Sequence, residues 1–135
     1  MPDWDGVNTY EQTRATMLAE LGYIAFAADI FGADLQENLD MATKIQLATK
    51  YLSDLPLYIH RMQLAIDTIA SNPSYSVSAD NIAIIGYCFG GSGVVQYGLH
   101  TEQDNGVKVA VSFHGSFFQE TSPEVDNNIY PHILM

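Results

Sequence analysis

The chain has 135 residues, of which 47% are hydrophobic and 16% charged, and it carries a net charge of −11 from 5 Lys+Arg against 16 Asp+Glu. That length suits one domain on the usual scale of ~100–200 residues and buries a core without disulfides or metal. The acidic balance opposes nucleic-acid backbones and anionic membranes, and the five bases (Arg14, Lys44, Lys50, Arg61, Lys108) form no block, which excludes both as partners.

Thr9 to Leu21 reads as a helix, with Thr9-x-x-Gln12 as a capping box and Asn8-x-x-Glu11 as its competitor one register earlier. Tyr10, Met17, Leu18 and Leu21 share one face, and Gly22 is placed to end the helix in a left-handed conformation. Tyr23–Ala28 is a continuous apolar run, as expected of a strand covered on both faces. Asn38 to Leu52 is weakly helical, with a thin stripe of Ala42, Ile45, Ala48 or Thr49, and Leu52. Pro56 to Ala70 is a stronger helix, with Ile59, Met62, Ile66 and Ile69 at helical spacing and Asn72-Pro73 as its stop. Ser76 to Asn81 is turn chemistry, and Ile82–Ile85 a buried strand. Gly86 to Gly93 forms a glycine-dense turn into a helix reaching Leu99 or His100. Asp104-Asn105-Gly106 is a turn, Val107 to Phe113 a strand, Ser116 to Asn128 an acidic loop, and Tyr130 to Met135 a further strand. Strands alternating with helices predict an α/β domain: a mainly parallel sheet with helices on both faces.

The informative segment is Ile84-Ile85-Gly86-Tyr87-Cys88-Phe89-Gly90-Gly91. A nucleophile elbow is a sharp strand-to-helix turn that lifts a nucleophile above the carboxyl edge of the sheet, with glycines where the backbones crowd. Gly86-x-Cys88-x-Gly90 has that spacing, with Cys in place of the usual Ser. The helix N-terminus should lower the thiol pKa below ~8.5 and offer N–H groups to an oxyanion. Three rivals fit worse. A P-loop needs Gly-Lys-Ser/Thr, and no Lys follows Gly90, Gly91 or Gly93. A dinucleotide loop needs a glycine at the position of Cys88, and a cysteine-phosphatase loop needs Arg where Val94 stands. A buried Cys packed at a strand end is the plain structural alternative.

Gly86-Tyr87-Cys88-Phe89-Gly90-Gly91, preceded by Asp80-Asn81-Ile82-Ala83-Ile84-Ile85, resembles the nucleophile segment of the dienelactone hydrolase family. Gly6-Val7-Asn8, Leu21-Gly22-Tyr23 and Ala28-Asp29-Ile30-Phe31-Gly32 resemble its early part, and Val111-Ser112-Phe113-His114-Gly115 the strand after the nucleophile helix. The resemblance implies a three-layer α/β-hydrolase fold, a Cys-His-Asp triad and no cofactor. It implies Cys88 as nucleophile and the backbone N–H groups of Phe89 and Trp4 as oxyanion donors. Asp3 stands where the family has a Glu that hydrogen-bonds the resting thiol. Arg61 is a candidate for holding a substrate carboxylate. The triad Asp and His, and the first strands, correspond to positions beyond Met135 and before Met1, so the chain is expected to be the middle of a hydrolase domain. The expected partner is a small-molecule ester or lactone; oligomeric state is left open.

His114 ends a strand near the carboxyl edge, where active sites gather, and is a secondary candidate beside Cys88. His60 and His100 fall on helices and His132 begins a strand; no ligand spacing joins them, so no metal is expected. Asp29 is read as a turn carboxylate, and Glu120, Glu124 and Asp126 as a solvated surface. The lone thiol and the absence of a signal-like start or an ~18-residue apolar span point to the cytoplasm. Two functions follow: a Cys-dependent hydrolase, or a non-catalytic piece of one. For the chain alone the expectation is low stability and no turnover, with Tyr23–Ala28 pairing with Ile82–Ile85 as a partial repair.

Overall fold

The computed structural model describes residues 1–32, 39–77, 81–101, 106–116 and 132–134. The elements are α1 (Thr9–Glu20), α2 (Met41–Ser53), α3 (Leu55–Ala70), β1 (Ile82–Tyr87), α4 (Phe89–His100), β2 (Val107–Phe113) and β3 (His132–Leu134). The strands form one parallel sheet in the order β1-β2-β3, with Ile84 opposite Ala110, Tyr87 opposite Phe113 and Ala110 opposite Ile133. The parallel strands, the helix crossing between β1 and β2, and the glycine turn stand where the sequence puts them. The acidic loop beyond Ser116 and the Asp104-Asn105 turn lie outside the described residues.

Local chemistry explains the ends. Asn8 caps α1: its side chain accepts from Tyr10 N, and its own N–H donates to the Glu11 carboxylate at 2.9 Å. The box therefore runs Asn8–Glu11, not Thr9–Gln12 as first choice, because Glu11 is buried and turns back while the Thr9 and Gln12 positions face solvent. Gly22, at φ 94, closes α1 through bonds from Gly22 N to Ala19 O and from Tyr23 N to Leu18 O. Asp40 and Asp54 cap α2 and α3, and Pro56 sits in the first turn of α3.

The core lies between the sheet and α4, with α3 packed on α4 and α2 on α3. Residues 89–98 of α4 are all buried. Tyr58, Met62 and Ile66 form the buried face of α3, and Ala48 with Tyr51 that of α2. The α2 stripe is thus rotated from the expected one: Ile45 and Ala42 face solvent, because Tyr51 turns inward to stack on Phe31 at 5.9 Å. Tyr58 then stacks on Phe89 at 4.7 Å, so an aromatic cluster joins both helices to the start of α4. On β1, Ile84 and Gly86 face α4, and alternation turns Tyr87 to the opposite face, where Tyr10 of α1 meets it edge-on at 5.6 Å.

Two expectations are corrected. Tyr23–Ala28 forms no strand and does not pair with Ile82–Ile85; Tyr23, Ile24 and Phe26 are exposed. A parallel strand needs a ladder of bonds along its flank, and the segment makes none, so the sheet ends at β1 among the described residues. On β1 the Ile85 carbonyl instead accepts from the Met1 amine at 2.6 Å. Burial pushes the pKa of that amine down to about 6. The intended apolar face of α1 is also open: Tyr10, Met17 and Leu21 are exposed, and the buried residue of α1 is Glu11.

Candidate active site

Cys88 sits between β1 and α4 with φ 49 and ψ −109. A non-glycine residue there carries backbone strain, held only when its surroundings fix it. Here they do. Cys88 N donates to Phe113 O at 2.9 Å, and Cys88 O accepts from Ser92 N at 2.9 Å and from Ser92 Oγ at 3.2 Å. The glycines make the close approach possible. A Cβ on Gly86 would overlap the Gly90 carbonyl, and one on Gly91 would stand 2.8 Å from Phe113 O. Ser112 Oγ donates to Gly91 O at 3.0 Å, and Ser116 N donates to Ser92 Oγ at 2.8 Å. The β2 exit is thereby laced to the first turn of α4.

The residues before α1 return to this corner despite the sequence distance. Gly90 N donates to Pro2 O at 3.0 Å. The Asp3 carboxylate accepts through Oδ1 from Trp4 N at 2.5 Å, and its charge bears on the Cys88 thiol. Phe89 N–H, next along the chain, favours the Cys88 thiolate. Asp3, Trp4, Cys88 and Phe89 are thus brought together. The thiol pKa is raised, not lowered: partial burial contributes most, then the Asp3 charge and the thiol–Asp3 hydrogen bond, against a smaller opposite pull from Phe89 N–H. The helix-terminus argument from sequence omitted the carboxylate.

The other candidates lie differently. Arg61 is engaged with the chain leaving the Tyr23–Ala28 segment: Nε donates to Ile30 O at 3.0 Å and Nη2 to Asp29 O at 3.4 Å. Its guanidinium opens on a shallow groove with Phe26 and Leu64 that does not include Cys88. The Asp29 carboxylate accepts from Phe31 N and Gly32 N, the turn role read from sequence. His114 directly follows Phe113, whose carbonyl holds Cys88 N; it is exposed and strained, at φ 43. Cys88 and His114 are the two non-glycine residues of positive φ among those described, and they stand on adjacent strand ends. Among the described residues no group of three or more His, Cys, Asp or Glu side chains could hold a metal ion, and no helix is long and apolar enough to cross a membrane.

Sequence reasoning missed Tyr58, whose hydroxyl donates to Phe89 O at 3.0 Å. The available signal was its spacing with Met62 and Ile66 on one helix face, since a buried Tyr must find an acceptor.

Residues 1–134 match the model of the dienelactone hydrolase family. The chain is 31% identical over 115 residues to a probable 2-oxo-3-(5-oxofuran-2-ylidene)propanoate lactonase from Bradyrhizobium sp., covering 85% of this chain and 44% of that protein. Among solved structures it is similar to a dienelactone hydrolase-like promiscuous phosphotriesterase, P91, from metagenomic libraries, with a TM-score of 0.76, 30% identity, 90% of this chain covered and 48% of the other. It is similar also to m3DLH, with a TM-score of 0.81, 28% identity, 98% of this chain and 52% of the other. The chain thus spans about half the length of these relatives and carries part of an α/β-hydrolase fold.

Proposed function

Because this chain belongs to the dienelactone hydrolase family, we propose that Cys88 is the nucleophile of a hydrolase of ester or lactone bonds in small molecules. The observation that carries this reading is the strained Cys88 at the strand–helix junction, with the Asp3 charge and Phe89 N–H acting in opposite senses on its thiol. The lactonase name of the Bradyrhizobium relative supports a lactone among the substrates.

At rest the carboxylate keeps the thiol neutral and occupies Trp4 N. In the reaction the thiol proton passes to Asp3, and the sulfur attacks the carbonyl carbon. The carbonyl oxygen becomes an oxyanion, held by Phe89 N–H and by Trp4 N–H once Asp3 withdraws from it. The C–O bond to the leaving group then breaks, and the alkoxide or enolate takes the proton back from Asp3. Water hydrolyses the acyl-cysteine and restores the thiol. A His–Asp pair supplied from outside the described residues carries the proton traffic of the second half. His114 contacts the substrate at the rim. No cofactor enters this scheme.

A second reading, a non-catalytic member of the family, is favoured by one observation: among the described residues no imidazole is hydrogen-bonded to the Cys88 thiol. Ester turnover by the longest natural protein carrying this chain separates the two. Cys88→Ala abolishes hydrolysis and Cys88→Ser leaves little if the first reading holds. Retained turnover in the alanine variant removes Cys88 as nucleophile.

A further inference from the structure

Three contacts converge on Tyr58, in the first half of α3. Its hydroxyl donates to Phe89 O at 3.0 Å. Its ring stacks on the Phe89 ring, with centroids 4.7 Å apart and planes 13° apart. Gly93 leaves it room: a Cβ there would meet Tyr58 Cε1 at 3.0 Å and overlap the phenol oxygen.

The peptide joining Phe89 to Gly90 is therefore gripped on both sides. Tyr58 holds its carbonyl, and its N–H donates to Pro2 O at 3.0 Å. Pro2 leads directly into Asp3 and Trp4, the carboxylate on the thiol and the second donor. A hydroxyl that only needed an acceptor could take any free carbonyl. This one takes the carbonyl of the peptide that tethers the Asp3 loop, and a glycine on the next turn clears its path.

We propose that Tyr58 is a positioning residue: its hydroxyl fixes the Phe89–Gly90 peptide and, through Gly90 N–H and Pro2 O, sets where the Asp3–Trp4 loop stands against Cys88. The proposal rests on Cys88 being the reacting centre, but its test reads the thiol and not hydrolysis. The groups that act on or with the thiol are Asp3 from the loop before α1, Phe89 N–H of α4 and Tyr58 of α3, while His114, one residue past β2, is exposed.

The test is the pH dependence of Cys88 alkylation by iodoacetamide, followed by mass on the whole chain. Tyr58→Phe keeps the stacked ring and removes the hydrogen bond. With the Asp3 loop loosened, the carboxylate holds the thiol proton less well, so the midpoint falls by about 0.5 pH unit, or about threefold more thiolate below it. Asp3→Asn lowers it further, and adding Tyr58→Phe to Asp3→Asn changes nothing more, because Tyr58 acts through that carboxylate. Gly93→Ala crowds the phenol from the other side and should reproduce the shift with Tyr58 intact, which covers the case of a Tyr58→Phe chain that fails to fold. A wild-type midpoint in either single variant, or a Tyr58→Phe shift that adds in full to Asp3→Asn, overturns the proposal. Hydrolysis surviving Cys88→Ala would instead overturn the nucleophile assignment and leave these midpoints standing.

Discussion

Gly86→Ala tests whether the elbow is built on backbone contact. The new Cβ would overlap Gly90 O and C and stand 2.7 Å from Gly91 N. All three are backbone atoms, so no side chain can rotate away, and the first turn of α4 must shift. That shift strains the Phe89–Gly90 peptide, whose two bonds, from Tyr58 Oη and to Pro2 O, are both 3.0 Å. Overpacking of this kind costs ~1–3 kcal/mol, and each lost hydrogen bond ~1 kcal/mol. Replacing Gly in a strand recovers only ~0.5–1 kcal/mol of backbone entropy, so destabilisation wins by roughly 2–4 kcal/mol. For a chain of this size that is a fall in Tm of roughly 8–20 °C, read by circular dichroism with urea midpoints as a check. Gly22→Ala is the control. It has nothing within 4 Å of its Cβ, and costs only the strain of φ 94, about 1–2 kcal/mol. A Gly86→Ala chain melting within about 2 °C of wild type would refute the contact argument, because overpacking of ~1–3 kcal/mol cannot hide in so small a shift.

Three further outcomes are expected. Cys88 should stay a thiol through the neutral range, with its alkylation midpoint above that of an unfolded cysteine, since burial and the Asp3 carboxylate both favour the protonated form; a midpoint below that of the same chain in urea contradicts this reading of burial and Asp3. Burial and then Asp67 push Tyr97 up to about 12, while burial and then Cys88 push Tyr58 well above 10.0. Both are acids with raised folded-state pKa values, so their contribution is fully present below pH ~10, the unfolded value, and is lost as the pH climbs through the folded values. Urea midpoints measured from neutral pH to pH ~12 should fall accordingly, and Tyr58→Phe should flatten part of that fall. His114→Gly relieves φ 43 and should raise stability by about 1 kcal/mol while weakening substrate binding; a loss of stability would show that the His114 side chain packs.

The fold was legible where a local rule decides. Gly22 and Pro56 each act within a few residues and are used as read, and the apolar run at Ile82–Ile85 forms a strand, although of its four residues Ile84 alone is buried and Ala83 is exposed. The tight strand-to-helix turn at Cys88 was legible because its glycines are close-packing requirements written at fixed spacing. Tyr23–Ala28 misled because an apolar run reports burial or strand propensity, while a strand also needs a neighbour that the run does not encode. The α2 stripe failed for a related reason: the pull of Phe31 on Tyr51 is tertiary. Within the proposed site, Cys88 and Phe89 were candidates from spacing, and Asp3 and Trp4 from the family resemblance. The sign of the thiol shift was lost because burial first, and the Asp3 carboxylate after it, outweigh the pull of Phe89 N–H at the helix start, and only geometry weighs them. Tyr58 escaped notice as one more apolar position of α3.

The most direct measurement is covalent capture. The chain is mixed with p-nitrophenyl acetate at a pH where some thiolate exists, and the product is weighed intact and mapped by peptide. The account predicts one acetyl group per chain, on Cys88, and none in Cys88→Ala. The folded chain should acetylate at least about tenfold faster than the same chain unfolded in urea at that pH, because in the proposed mechanism the Phe89 and Trp4 N–H groups stabilise the oxyanion, each such donor being worth ~100-fold or more. Acetylation spread over lysines with Cys88 unlabelled, or a folded rate no higher than the unfolded one, would contradict the assignment of Cys88 as an activated nucleophile.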